Sequence, residues 1–207
     1  MFTIVTYSYL ILPLCFFLSG NKLKEKIPVL IALYGLIFFG LLYYYYETPK
    51  DLRKYLQAFY TFLEYAIFTL IFWFQIRKKT FRFLMFIASV LFVLFQIFYV
   101  TSTSLIRLDS VPIGIETIFV FIYIFYFLYE FSKYVKDTFI YRHYCFWIAV
   151  GILIYLGGSF FFYILINQLD DNKIEQFGTL TYIAEIIKNL LFAVSLFFYK
   201  KFSDTQI

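Results

Sequence analysis

The chain is poorest in the residues that do chemistry in water. Its 207 residues hold one histidine, two cysteines, four prolines and eight glycines, and only 15% are Asp, Glu, Lys or Arg. With His143 as the sole imidazole, a Ser-His-Asp or Cys-His device has no base inside the apolar segments, because His143 stands in a polar joint. A zinc hydrolase is excluded on similar grounds, since such sites draw on several histidines and acids. Cys15 and Cys145 lie in separate apolar stretches with neither metal-ligand spacing nor a disulfide framework, and they read as small core residues. No glycine-rich phosphate loop is present. These shortages name no catalytic group and no cofactor, and they favour a protein that is not an enzyme.

Scarce charge leaves abundant apolar surface. The hydrophobic share is 63%, against about 45–50% in a soluble domain, and mean hydropathy is +0.80. A soluble chain of this size would have to leave much of that surface in water. The composition therefore predicts an all-α, polytopic membrane protein with the lipid bilayer as its first partner. Phe (31) and Tyr (21) exceed what two interfacial belts require; an AT-rich genome explains the excess simply, and an aromatic cage is the functional alternative.

Seven apolar segments are long enough to span, at about 2–20, 27–46, 55–76, 83–101, 114–131, 145–166 and 180–199. Short polar joints force an up-and-down bundle and leave no room for a soluble domain. The first segment carries its lysines after rather than before its apolar run, so it reads as a retained helix and not a signal peptide. Pro13 alone falls well inside a span; Pro28, Pro49 and Pro112 fall at helix starts or in joints. Bilobed sugar transporters typically carry kink prolines in each repeated unit, and this chain does not.

Basic residues set the orientation. Joints one, three and five plus the tail carry twelve lysines and arginines, Lys136 among them, while the other three joints carry five, including Arg107. By the positive-inside rule the N-terminus is outside and the C-terminus cytoplasmic. Asp170, Asp171 and Glu175 share the last outer joint and agree. The formal charge of +5 comes from these clusters at helix ends, so a nucleic-acid partner is not expected.

Four ionisable residues stand inside spans: Glu64, Glu116, Glu185 and Lys188. Each costs at least about 2.5–3.5 kcal/mol at the bilayer centre unless it finds a partner, a cavity or a role. The glutamates precede Arg77, Lys133 and Lys200 by 13, 17 and 15 residues, which sets all three about 20–25 Å from the cytoplasmic edge. Gln57, Thr61 and Glu64 form one helical stripe; Thr181, Glu185, Lys188 and Asn189 form a second; Glu116 and Tyr123 start a third. Polar stripes face protein or water. Together with Gln96 they would line an outward pocket for a small ligand or lipid headgroup. The alternative is structural, with Glu185 and Lys188 paired on one helix, Glu116 at the headgroup level and Glu64 bonded to a neighbouring helix; movement of a proton or ion is a further reading. Gly157, Gly158 and Ser159 mark either close helix packing or a bend in the sixth segment.

Lys188 in a seventh helix resembles the Schiff-base lysine of retinal proteins in placement. The match departs where it matters: Glu185 lies three residues before the lysine, where microbial rhodopsins have an aspartate four before, and segment three lacks the tryptophan and arginine around the counter-ion. From segment three to the C-terminus the chain resembles small seven-helix membrane proteins of Bacteroidota, a family with no established activity. The stretches FYTFLEYAIF, IETIFVFIYIFYFLYE, FWIAVGILIYLGGSFFF and IIKNLLFAVSLFFYK carry the resemblance. It implies a companion of sensor histidine kinases, hence a receptor-like role with a signalling partner. A transporter or lipid-handling membrane enzyme is the alternative.

Overall fold

A computed structural model describes residues 1–102, 110–134, 140–165 and 171–203, and every regular element among them is helical. In order these are α1 (Phe2–Ser8), α2 (Ile11–Leu18), α3 (Lys26–Glu47), α4 (Lys50–Gln75), α5 (Lys79–Ser102), α6 (Ser110–Tyr134), a 3₁₀ turn (Ile140–Arg142), α7 (Tyr144–Leu165) and α8 (Asp171–Ser203). The six helices from α3 to α8 are each long and apolar enough to cross a membrane. Arg107, Lys136 and Asp170 lie outside the described residues.

The first segment is not one helix. Pro13 has no N–H to give the Tyr9 carbonyl, and the ladder tightens around it: Leu10 N–H bonds Tyr7 O at 3.1 Å and Leu12 N–H bonds Tyr9 O at 3.2 Å. The result is two short helices split at Tyr9 and Leu10. Gly35 of α3 presses into this break, and a Cβ there would stand 2.6 Å from the Tyr9 carbonyl oxygen and 2.9 Å from Pro13 Cδ. Gly20, at φ 66°, turns the chain after α2, a left-handed position that glycine adopts without steric cost.

Despite the break, the first segment traverses the bundle beside α8. Phe2 meets Tyr182 edge-on at 6.1 Å, and Asn21 Nδ2 donates to Leu196 O at 3.2 Å. Among the described residues the bundle therefore has seven passes, the six long apolar helices and this broken first segment. Around the bundle the neighbours run α1–α2, α3, α4, α6, α7, α8 and back to α1–α2, while α5 packs outside against α4 and α6. α5 accordingly exposes a broad apolar face through residues such as Phe86, Leu94 and Phe98.

Polar punctuation fixes most helix ends near their expected positions. Thr48, held extended ahead of Pro49, ends α3, and Pro49 precedes α4. α8 departs furthest, starting at Asp171 and not near residue 180. The stretch DNKIEQF is polar but contains the helix formers Lys, Glu and Gln, and the last helix extends about two turns beyond its apolar part. Glu130 on α6 accepts the amides of Arg77 (2.8 Å) and Lys78 (3.0 Å), supplying acceptors just ahead of α5.

α7 runs unbroken through Gly157, Gly158 and Ser159. A Cβ on Gly158 would meet Ala184 Cβ at 3.1 Å, and one on Gly151 would meet Leu191 Cβ at 3.3 Å, so both glycines admit α8 closely. Gly157 has open space around it. Ser159 bonds back to Tyr155 O at 2.7 Å, satisfying its hydroxyl within the helix.

Candidate functional site

Lys188 of α8 is fully enclosed in the bundle. An ammonium there has lost its hydration, and the surrounding helices replace it with acceptors and ring faces. Its Nζ stands 3.7 Å from Glu64 Oε1 on α4. It donates to the Tyr9 hydroxyl at 3.3 Å and to the Tyr34 hydroxyl. It also lies 3.8 Å from the Tyr155 ring centroid, 4.8 Å from that of Tyr34 and 5.2 Å from that of Tyr9. These are cation–π distances, and desolvation strengthens such contacts.

The carboxylates use the same tyrosines. Glu64 accepts from Tyr34 at 2.8 Å and from Tyr155 at 3.0 Å. Glu185 accepts from Tyr9 and, at 3.4 Å, from Tyr60. The Tyr9 hydroxyl thus accepts a hydrogen bond from Lys188 and donates one to Glu185, while the Tyr34 hydroxyl does the same between Lys188 and Glu64. Five of the seven passes meet in this network: α1–α2, α3, α4, α7 and α8. Glu116 differs, being 1% exposed with a buried Oε1 that has no hydrogen-bond partner among the described residues.

Above this network lies a cavity of about 220 Å³. Its walls come from the start of α1, the end of α3, the first half of α4, the end of α5, the start of α6, the end of α7 and the first half of α8. All seven passes therefore contribute the same end, that of Met1 and the joints opposite the lysine-rich ones. Below Lys188 the interior is filled by Phe68, Phe72, Phe192 and Leu196, each buried.

Most residues expected in a pocket do line it: Gln57, Thr61, Glu64, Gln96, Glu116 and Glu185, with Ser159 from α7. Gln57 donates to Tyr45 at 3.0 Å. Gln96 donates to Ala58 O at 2.6 Å, which fixes its amide nitrogen and leaves Oε1 buried without a partner among the described residues. Lys188 and Asn189 sit behind the cavity wall, and Asn189 bonds Ser8 at 2.8 Å. Tyr123 is elsewhere, in a chain of hydroxyls with Tyr65 (2.9 Å) and Ser89 (3.0 Å). The lysine is held across the bundle by Glu64, and Tyr9 links it to Glu185 on its own helix.

Sequence reasoning missed the tyrosines. Tyr9, Tyr34, Tyr60 and Tyr155 hold the charges, yet little separates them from the other seventeen of the 21 tyrosines. Tyr60 and Glu64 at i, i+4 are the one local sign.

Fold and site together define a class, an all-helical bundle with six long apolar helices and a charged, tyrosine-bound core beneath a one-ended cavity. Comparison with protein-family models, curated proteins and solved structures returned no match, so the functional reading rests on the chemistry of the site.

Proposed function

We propose that the protein is a receptor-like component of the bacterial inner membrane, with its N-terminus outside and its C-terminus cytoplasmic, that binds a small polar-headed or lipid-like ligand and signals through a partner. The observation that carries this is the one-ended cavity whose floor is the Lys188 network. A ligand there touches Glu64, Tyr155 and Glu185 directly, and these side chains bond to groups on α1–α2, α3 and α8. Occupancy therefore has a route to relative helix position, the currency in which a membrane receptor addresses a partner. The aromatic and aliphatic filling below Lys188 favours binding over passage.

Accessibility tests the orientation. In a background with Cys15→Ser and Cys145→Ser, a membrane-impermeant thiol reagent applied to intact cells should modify a Gln57→Cys variant, and reach a Ser132→Cys variant only after permeabilisation. The opposite pattern overturns the outward cavity. Reconstituted protein should be thermally stabilised by ligands without accumulating them in vesicles; vectorial uptake would assign the chain to transport instead.

A further inference from the structure

The unpartnered buried groups around the cavity are of one kind. Of the buried side-chain atoms that lack a partner among the described residues, the two whose residues line the cavity are Glu116 Oε1 and Gln96 Oε1, and both are acceptors. Gln96 cannot be flipped to put its nitrogen in place of Oε1, because the Ala58 carbonyl to which that nitrogen donates only accepts. Charge points the same way. Glu64, Glu116 and Glu185 line the cavity, while Lys188, the one buried ammonium among the described residues, stands behind its wall and is engaged by Glu64.

We infer that the cavity takes a cation bearing N–H groups, a primary ammonium, with Glu116 and Gln96 as its acceptors. The inference rests on the reading of the cavity as a ligand site and names the ligand's chemistry. A carboxylate or phosphate head would bring acceptors to acceptors and negative charge to negative charge. A quaternary ammonium would satisfy the rings but leave both oxygens unpaired, at the full desolvation cost of each. A primary ammonium serves both needs: its hydrogens reach the two oxygens while its charge lies against tyrosine walls. The protein already solves that problem once, since Lys188 rests 3.8 Å from the centroid of Tyr155, a ring that also lines the cavity. Such an ammonium comes either as a free alkylamine or as the headgroup of an aminophospholipid, and the two share this chemistry.

The test uses the full chain in phosphatidylcholine nanodiscs and measures its thermal stabilisation by butylammonium, tetramethylammonium and butyrate. Butylammonium should stabilise; the other two should not. Glu116→Gln should raise the butylammonium midpoint roughly 10- to 100-fold, the loss of a charge-assisted hydrogen bond, and Gln96→Met should raise it less. Should Glu116→Gln fail to fold, Glu116→Asp keeps the charge and must fall between wild type and no binding. Exchanging phosphatidylcholine for phosphatidylethanolamine separates the sources: a headgroup ligand stabilises wild type by itself and abolishes the butylammonium shift, whereas a free-amine site keeps its midpoint. Equal stabilisation by tetramethylammonium or butyrate overturns the ammonium inference and leaves the cavity a ligand site. Stabilisation by none of the probes overturns both.

Discussion

Lys188 on α8 and Glu64 on α4 are partners across the bundle, 3.7 Å apart and both buried. Neither helix neighbours the other along the chain, so this pair exists only in the folded bundle. Removing one partner of a buried pair leaves the other uncompensated, which typically costs about 3–5 kcal/mol. Lys188→Met should therefore lower stability by that order, and the double variant Lys188→Met with Glu64→Gln should recover part of the loss. A double-mutant cycle by equilibrium unfolding in mixed micelles measures the coupling. Additive single losses would show that the pair contributes nothing as a pair.

The Tyr9 hydroxyl serves two charges, so Tyr9→Phe should weaken the site more than Tyr60→Phe. Tyr9 loses a bond from Lys188 and one to Glu185, whereas Tyr60 reaches Glu185 only at 3.4 Å. The expected difference is about 1–3 kcal/mol, read as apparent melting temperature of the two purified variants. Equal losses would mean that the ring packing of Tyr9, and not its hydroxyl, holds the network.

Gly35→Ala should be among the most damaging small substitutions. Its Cβ would meet the Tyr9 carbonyl at 2.6 Å and Leu12 Cβ at 2.9 Å, on a segment already tightened by Pro13. Overpacking of this kind costs about 1–3 kcal/mol. Gly40→Ala, on the same helix with nothing within 4 Å, is the control and should be neutral or slightly stabilising. If the two variants melt together, α1–α2 yields to α3 at little cost.

Glu130→Ala should loosen the start of α5 without disturbing the cavity at the other end of the bundle. Its carboxylate accepts the Arg77 and Lys78 amides, and losing such an acceptor costs about 0.5–2 kcal/mol. Hydrogen exchange at those two amides should accelerate while the amides of α8 keep their rates. Unchanged exchange at Arg77 and Lys78 would deny Glu130 this role.

Much of the architecture was legible because it follows from local physics. Backbone polar groups cannot be left bare in hydrocarbon, so long apolar runs must be helices, and short polar joints make consecutive helices antiparallel. The same costs made Glu64, Glu116, Glu185 and Lys188 visible, since an ionisable residue in such a run demands a partner. The stripes, with Gln96 added for its similar depth, pointed to Gln57, Thr61, Gln96 and the three glutamates, and these six do line one cavity. Beyond that the tertiary structure decided. Pro13 could be seen in the first segment, but that it splits the segment into two helices around an inserted Gly35 depends on how α3 approaches. The stripe on α8 offered Glu185 as a partner for Lys188 on the same helix; packing set Glu64 across the bundle 3.7 Å from the lysine and placed Tyr9 between lysine and Glu185. Which three of 21 tyrosines ring that lysine depends on where the first segment, α3 and α7 cross α8. Side-chain type and spacing report what a helix must hide, whereas the partner that hides it is chosen by the crossings of helices distant in the chain.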